Sequence, residues 1–396
     1  MNKIILNTGI QNFINKNWKT DIVSVLLKKP LFEGVSQKEL AQQLESKKKA
    51  KNKLPTWFNS SDIYYPPKLH IEQTSSELTA EYKASLVSGK TLVDMTGGFG
   101  VDSYFFSKRI TSVFHCEINA ELSKITEHNF KELNIRNVEC HPEDGLDFIQ
   151  KASSSFDWIF IDPSRRNNIK GKVFLLKDCE PNVPEILPEL FTSSKNILIK
   201  VSPLLDISQT LQELNHVKEI HVVAVDNEVK ELLFLLELNF LGEIKYRAIN
   251  IHQNRKDTFE FSMAKEKATQ ADLGMPQSYL YEPNAAILKA GAFKSIGYRY
   301  GLKKLEQHSH LYTSEQLIKF PGRRFTIKSV FPYSKKMMKP FKGMKANVTT
   351  RNFPISVAEL RKMHKMQDGG KDYLFFTKAM DNSKQVIRCE RINESR

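Results

Sequence analysis

Four acidic residues follow successive apolar segments in the middle of the sequence, and their spacing could place them in one cleft. They are Asp94, Glu117, Asp144 and Asp162. Each follows a short segment rich in Val, Ile and aromatic residues that predicts a strand, and amphipathic helical segments separate the strands. Because the carboxyl ends of parallel strands lie at one edge of a sheet, we expect the four carboxylates to face a common binding crevice.

The first of these strands runs into a glycine-rich loop, VDMTGGFGVDS (93–103), which precedes a predicted helix. Glycine lets the backbone approach a ligand closely, and the helix offers free N–H groups at its start. Such a loop can also be no more than a tight turn. Glu117 lies 23 residues after Asp94, a spacing that suits hydrogen bonds to a ribose diol. Nicotinamide sites and S-adenosylmethionine sites share that arrangement.

The fourth strand distinguishes between these two cofactors. It reads FDWIFIDPSRR (156–166) and resembles class I S-adenosylmethionine-dependent methyltransferases, in which strand four ends in Asp or Asn followed by Pro. The resemblance covers roughly residues 75–265. It implies a Rossmann-like, doubly wound α/β core of seven strands and S-adenosyl-L-methionine as the cofactor.

The same resemblance implies a role for each motif residue. Asp94 and the loop glycines would surround the methionine end of the cofactor, Glu117 would bind the ribose hydroxyls, and Asp144 would bind the adenine amino group. The implied cofactor-binding residues are Asp94, Thr96, Gly97, Gly98, Phe99, Gly100, Glu117, Ile118, Asp144, Gly145 and Asp162. The implied catalytic residues, which would face the methyl acceptor, are Asp162, Pro163, Ser164 and Arg165.

Methylation of an amino group requires acceptors that orient its N–H bonds so that the nitrogen lone pair faces the methyl group. The Asp162 carboxylate and the Pro163 carbonyl could supply them. Families that methylate base amino groups usually have a second proline and an aromatic residue after the first proline, where this chain has Ser164 and Arg165. Arg165 could take the place of the aromatic residue, because a guanidinium can also stack on a base.

Arg165 begins a cationic segment that continues with Arg166, Lys170 and Lys172. We expect these side chains to form a rim that binds phosphate or carboxylate groups. The alternative is a solvated loop in which one arginine pairs with a nearby acid such as Asp178.

Charge is distributed unevenly along the 396 residues, whose formal net charge is +14. Residues 1–70 carry +7, residues 71–319 carry −5 and residues 320–396 carry +12. Basic surfaces attract polyanions such as nucleic acid, although lysine-rich flanks can also serve solubility alone. The C-terminal lysines are interleaved with Phe331, Tyr333, Phe341 and Phe353, a mixture that suits phosphates and exposed bases unless the aromatics form a small core.

The order of segments resembles bacterial methyltransferases with a C-terminal THUMP-like, ferredoxin-like domain. The resemblance rests on the DPSRR motif followed by YLYEPNAAILKAGAF and by ANVTTRNFPISVAELRKMHKMQDGGKDYLFF. It implies an RNA-modifying enzyme that holds RNA through its basic C-terminal domain. We predict three domains: a helical domain (1–70), a methyltransferase domain (71–268) and an α+β domain (269–396).

Several classes of protein are disfavoured. The four cysteines form no CxxC pair and no histidine cluster accompanies them, so we expect a reducing compartment and no metal site. No apolar run is long and uninterrupted enough for a signal peptide or a membrane span, which favours a cytoplasmic protein. Asn284 could reach the cleft or cap a helix.

The leading hypothesis is therefore an RNA methyltransferase that modifies a base nitrogen beside Asp162. Three alternatives remain open: methylation of an acidic small molecule or protein, RNA binding without catalysis, and a nicotinamide-dependent dehydrogenase. The oligomeric state is not predicted.

Overall fold

The computed structural model describes residues 1–165, 175–252 and 255–393. The chain divides into two compact units. Unit 1 comprises Met1–Lys218 and Lys230–Gly242, and unit 2 comprises Glu219–Val229 and Glu243–Arg396.

This division differs from the predicted domain boundaries at residues 70 and 268. The N-terminal helices share unit 1 with the parallel strands, because Tyr64 and Asn129 exchange hydrogen bonds of 2.9 and 3.0 Å. At the other boundary, the last strands predicted for the α/β domain belong to unit 2.

The N-terminal part of unit 1 is helical, as predicted. Its helices are α1 (Thr8–Asn17), α2 (Ile22–Leu26), α3 (Gln37–Lys53), α4 (Pro55–Asn59), α5 (Lys68–Gln73) and α6 (Glu77–Ala84). A capping box starts α3, in which Ser36 Oγ accepts from Glu39 N and the Glu39 carboxylate accepts from Ser36 N. The spacing of Ile22, Val23, Leu26 and Leu27 predicts an apolar face here, and this prediction is wrong, because only Val25 of α2 is buried.

The prolines, serines and aromatic residues of TWFNSSDIYYPPKLHIEQTSSE (56–77) predict an ordered connector or a small lid rather than regular structure, and this prediction is wrong. The segment contains most of α4 and the whole of α5. Pro55 occupies the first turn of α4, where a missing N–H costs nothing, and Trp57 in this helix is fully buried.

The α/β region alternates strands with helices. Its strands are β1 (Gly89–Asp94), β2 (Ile110–Cys116), β3 (Val138–His141), β4 (Trp158–Ile161), β5 (Ser164–Arg165), β6 (Cys179–Glu180), β7 (Asn196–Val201), β8 (Val217–Val225), β9 (Glu228–Glu237), β10 (Lys245–His252) and β11 (Arg255–Ser262). Its helices are α7 (Val101–Phe106), α8 (Ala120–Glu132), α9 (Gly145–Lys151), α10 (Val183–Ser193) and α11 (Ile207–Glu213).

The sheet of unit 1 confirms the predicted doubly wound α/β class. Its strand order is β9-β7-β4-β1-β2-β3, in which β9 is antiparallel to β7 and the other neighbouring pairs are parallel. The chain moves outward from β1 to β3 and returns to β4 beside β1. This reversal creates a topological switch point, where ligands bind in open α/β sheets.

Strand β9 was not predicted. Its central residues Leu232, Leu233 and Phe234 are all fully buried, so the strand is apolar on both faces and lacks the alternation that marks a half-buried strand.

In unit 2, β8 pairs in parallel with β10, and β10 pairs with β11 in the predicted antiparallel arrangement. The remaining elements are α12 (Met263–Ala268), β12 (Tyr279–Pro283), α13 (Ala285–Ala290), α14 (Ser295–Tyr300), β13 (Lys303–Lys304), β14 (Tyr312–Ser314), β15 (Gly322–Pro332), β16 (Asn347–Arg351), α15 (Val357–His364), β17 (Asp372–Lys378) and β18 (Lys384–Arg391). Strands β12 to β18 form a second sheet in the order β13-β14-β12-β15-β18-β17-β16. The predicted C-terminal α+β arrangement is confirmed.

The C-terminal aromatics form a core rather than an exposed stacking surface. Phe331 and Phe341 are buried and stack at 5.2 Å between ring centroids. Tyr333 and Phe353 pack against the same cluster. Of the two interpretations left open by the sequence, the structure therefore supports a small core. In the described ranges, no helix has the length and apolar character needed to cross a bilayer.

Candidate active site

A cavity of about 660 Å³ opens at the switch point of the unit 1 sheet. The segments that follow β1, β2, β3 and β4 all contribute to its wall. They provide Met95, Thr96, Gly97, Gly98, Phe99, Glu117, Ile118, Asp144, Gly145, Asp162 and Ser164. Its volume lies within the range of small-molecule and cofactor sites.

The glycine-rich loop is fixed to the neighbouring strands by backbone hydrogen bonds. Gly97 N donates to Cys116 O at 2.8 Å, and Met95 N donates to Phe160 O at 3.0 Å. A Cβ on Gly97 would lie 2.1 Å from His115 Cε1. Gly100 has a φ of 77°, and a Cβ there would meet Thr126 and Phe130. Both positions therefore require glycine if the loop is to keep this path.

Glu117 supports the loop and also lines the cavity. Its Oε2 accepts from Gly98 N at 2.9 Å, and its Oε1 accepts from Asn119 N at 2.8 Å. Each carboxylate oxygen keeps a further lone pair for a ligand hydroxyl. Asp144 caps α9 through Leu146 N at 2.7 Å, and its side chain is exposed at the cavity.

Asp94 lies beneath the loop instead of on the cavity wall. It is 1% exposed and accepts from Ser103 Oγ at 2.6 Å and from Thr96 N at 3.2 Å. Burial raises the pKa of this carboxyl to about 8. Ser103 Oγ lies 3.1 Å from His115 Nδ1, and burial lowers the pKa of that imidazole to about 3. These buried contacts stabilise the glycine-rich loop.

Asp162 directly follows β4 and faces the cavity. Its backbone N donates to Thr96 Oγ1 at 2.7 Å, which ties the end of β4 to the glycine-rich loop. Its Oδ2 accepts from Lys200 Nζ of β7 at 2.6 Å. Burial raises the pKa of Asp162, and the Lys200 ammonium opposes that shift. For Lys200, burial lowers the pKa, but the charges of Asp162 and Glu231 outweigh burial and raise it.

A second ion pair is buried below Asp162 and Lys200. Lys83 Nζ lies 2.8 Å from Glu231 Oε2 and 3.2 Å from Asp102 Oδ1, and its side chain is fully buried. Asp102 lines the cavity. Together these five groups contain three carboxylates and two ammonium groups, so with all of them ionised one negative charge is in excess beside the cavity.

The whole chain is similar to a protein of solved structure. That protein, described as a putative methyltransferase from Porphyromonas gingivalis, is 34% identical, with a TM-score of 0.89, and the match covers 99% of each chain. The chain belongs to this methyltransferase family.

Two further comparisons agree with the methyltransferase assignment. Residues 279–321 match a family described as a ferredoxin-like domain, and residues 322–391 match one described as THUMP domain-like. Uncharacterised S-adenosylmethionine-dependent methyltransferases from two strains of Mycobacterium tuberculosis are 20% identical over 248 residues. That match covers 62% of this chain and 65% of the relatives' length, so the chain spans less than two thirds of these curated relatives. The predicted family resemblance, with its THUMP-like domain, is confirmed.

The cavity of this methyltransferase fits S-adenosylmethionine, the cofactor of the family. Asp102, Asp144 and Asp162 stand on its wall with Glu117, and an anionic wall favours a cofactor that carries a sulfonium cation. Ile118, which is 74% exposed, adds an apolar surface suited to the face of an adenine ring.

The same wall argues against the nicotinamide alternative. A dinucleotide pyrophosphate in this cavity would face the carboxylates of Asp102, Asp144 and Asp162. The family assignment agrees with this conclusion.

The predicted site residues fall into three groups. Ten of them line the cavity: Thr96, Gly97, Gly98, Phe99, Glu117, Ile118, Asp144, Gly145, Asp162 and Ser164. Asp94, Gly100 and Pro163 lie behind that surface, and Pro163 is buried. Arg165 belongs to β5, but its side chain lies outside the described part of the structure, as does the predicted rim at 166–172.

Sequence reasoning missed two groups of residues. His70, Gln73, Thr74 and Ser75 line the cavity from the N-terminal region, which was predicted to be a connector. Lys83, Lys200 and Glu231 were also missed, since none of them belongs to a recognisable motif. Asp102 stands within the glycine-rich segment and could have been noticed there.

Proposed function

We propose that this protein transfers a methyl group from S-adenosylmethionine to a base nitrogen in RNA, and that Asp162 orients the acceptor. The observation that supports this most strongly is the position of the Asp162 carboxylate. It faces the cofactor cavity and is held by Lys200 on one side and, through its backbone, by Thr96 on the other.

S-adenosylmethionine supplies an activated methyl group and leaves as a neutral thioether. The chain's own contribution is to bind and orient the acceptor. Asp162 accepts a hydrogen bond from the acceptor N–H, which leaves the nitrogen lone pair free to attack. Burial raises the pKa of Asp162, and the Lys200 ammonium opposes that rise and so favours the ionised carboxylate that accepts this hydrogen bond. The proton released after transfer passes to the Asp162 carboxylate and from there to solvent.

RNA as the acceptor is supported by the charge of unit 2. Residues 320–396 carry +12. Lys335, Lys336, Lys339 and Lys342 are exposed in the segment between β15 and β16. Exposed cations of this kind bind phosphates without reading sequence, and the THUMP-like match in the same residues is consistent with RNA as the partner.

A second candidate is methylation of an acidic small molecule or protein. It is favoured by Ser164, which is exposed and lines the cavity. Families that methylate base amino groups usually have a proline at this position, followed by an aromatic residue.

Transfer of labelled methyl groups to total RNA from cells lacking the gene will test the proposal. The full chain should label RNA at low salt, and Asp162→Ala, which removes the acceptor oxygens, should abolish the labelling. Asp147→Ala is the matched control, because it removes the same carboxylate at an exposed position that does not line the cavity.

Absence of RNA-dependent label would contradict the proposal, as would equal labelling by Asp162→Ala and Asp147→Ala. Label that appears only with acidic proteins or small molecules would favour the second candidate.

A further inference from the structure

Unit 2 contains a cavity of its own, of about 560 Å³. Four arginines and two aspartates line it, together with several asparagines. The arginines are Arg255, Arg323, Arg324 and Arg391. This lining is the opposite of the carboxylate-rich wall in unit 1, and it points to an anionic ligand.

The base of the cavity holds a buried donor without a partner. Asn284 lines the cavity and is 3% exposed. Its Oδ1 accepts from Ile287 N at 3.1 Å and so fixes the orientation of the amide. Its Nδ2 has no hydrogen-bond partner among the described residues. A buried N–H₂ group without an acceptor is unfavourable, and a ligand oxygen would satisfy it.

The polar groups around Asn284 hold one another in place. Asn250, 2% exposed, accepts from Asn227 N at 2.9 Å, and its Nδ2 lies 2.8 Å from His252 Nε2. Asn227 Oδ1 in turn accepts from Ala285 N at 2.8 Å. The base of the cavity is therefore built by fixed side chains, which lowers the cost of ordering a ligand there.

The arginines of the cavity differ in their environment. The buried Glu282 carboxylate pairs with both Arg323 and Arg351, so one carboxylate serves two guanidinium groups. Arg255 pairs with Asp257 at 3.1 Å. Arg391 is exposed at the end of β18. The cavity therefore combines an exposed guanidinium with the buried amide donor of Asn284.

We propose that this cavity binds the phosphate of a nucleotide, with Asn284 Nδ2 and the Arg391 guanidinium as donors to the phosphate oxygens. The cavity is larger than a phosphate alone, so the attached nucleoside can enter with it. The proposed source is a nucleotide of the RNA substrate, and this part rests on the proposed function. A free nucleotide offers the same chemistry.

The full chain tests the proposal through two binding probes. One is a 3′-fluorescein-labelled, twelve-nucleotide single-stranded RNA, made with either a 5′-phosphate or a 5′-hydroxyl. The other is AMP. Asn284→Asp is the informative variant, since aspartate caps a helix as well as asparagine but replaces the donor with a carboxylate. Asn382→Asp is the matched control, because it makes the same charge change at an exposed turn that does not line the cavity.

Asn284→Asp should weaken RNA binding by about tenfold or more relative to Asn382→Asp, as expected for loss of a hydrogen bond to a charged group. AMP should compete with the RNA for wild type and fail to compete for Asn284→Asp. A preference for the 5′-phosphorylated RNA would identify a terminal phosphate, and equal binding of both RNAs would identify an internal one. Loss of AMP binding with unchanged RNA binding would support the phosphate site and assign it to a free nucleotide.

Equal RNA and AMP affinities for Asn284→Asp and Asn382→Asp would overturn the proposal. Cofactor affinity, measured for both variants, should match that of wild type and so confirms that they are folded. The two proposals fail separately. Absence of methyl transfer to RNA by wild type refutes the proposed function, whereas the phosphate site is judged by binding alone.

Discussion

The two cavities of this protein differ in the charged side chains that line them: carboxylates predominate in unit 1 and guanidinium groups in unit 2. In unit 1, the two lysines beside the cofactor cavity are buried or half-buried and paired with carboxylates, as in Lys83 with Glu231 and Lys200 with Asp162. In unit 2, four arginines line the cavity and Arg391 is exposed. Buried pairs set protonation states and resist screening, whereas exposed cations attract polyanions and respond to salt.

From this contrast we expect the unit 1 cavity to determine methyl transfer and the unit 2 cavity to contribute to RNA binding. Variants in unit 1 should change stability or the pH dependence of the reaction and leave the salt dependence of RNA binding unchanged. Variants in unit 2 should change the salt dependence of RNA binding and leave stability and the pH dependence of the reaction unchanged.

The largest effect is expected for Lys83→Met. It leaves Glu231 and Asp102 without their cation in a buried position, so it should lower the free energy of unfolding by about 3–5 kcal/mol. Urea denaturation will measure the change. The double variant Lys83→Met with Glu231→Gln should recover part of the loss, because it removes one of the unpaired charges. A loss no larger than that of the exposed control Lys90→Met would show that this pair is not important for stability.

The second effect concerns Lys200→Met and the pH dependence of methyl transfer. Without the ammonium, nothing in this pair opposes the effect of burial on Asp162, so the pKa of that carboxyl should rise. In the proposed mechanism Asp162 acts in its ionised form, so the acid limb of the rate profile should move to higher pH by about one unit or more. Activity lost at neutral pH should then return in alkaline buffer.

Lys195→Met, which removes an exposed lysine in the same unit, serves as the control for Lys200→Met and should leave the profile unchanged. A uniform loss of rate at every pH would contradict the role assigned to Lys200, because it would indicate a structural role only.

The smallest effect is expected for Arg391→Gln. Removal of one phosphate contact should reduce the slope of log affinity for single-stranded RNA against log salt by about 0.7. Fluorescence anisotropy over a salt series will measure it, with Lys200→Met as the comparison. If the unit 1 variant changed the slope as much as Arg391→Gln, the separation of the two cavities by function would fail.

Local patterns carried much of the fold prediction. The strand at 245–252 was predicted with the bounds that the structure has, and α15 agrees closely with its predicted segment, because a Ser356 and Glu359 capping box and helical periodicity are local signals. Strand β9 and the helices α4 and α5 were missed. The first is apolar on both faces, and the others are short helices in a segment rich in proline and aromatic residues.

The sequence motifs predicted those residues of the candidate site that directly follow the strands. Thr96, Glu117 and Asp162 line the cavity, since each follows a strand of one parallel sheet. Asp94 follows a strand too, but its carboxylate lies beneath the loop. The sequence pattern does not show whether a carboxylate after a strand lines the cavity or lies beneath the loop. For Asp94, its hydrogen bond with Ser103, which in turn contacts His115, decides the outcome.

The sequence by itself determined the alternation of strands and helices, the glycine-rich loop, the Asp162-Pro163 motif and the concentration of positive charge in residues 320–396. The tertiary structure decided which charges meet. Lys83 and Glu231 are 148 positions apart, and Lys200 and Asp162 are 38 apart. The Lys200–Asp162 pair forms because the parallel strands β4 and β7 are neighbours, and the Lys83–Glu231 pair joins helix α6 to strand β9. No local pattern encodes the identity of either partner. The same reason applies to Asn284, whose unpartnered amide becomes visible only once unit 2 is folded around it.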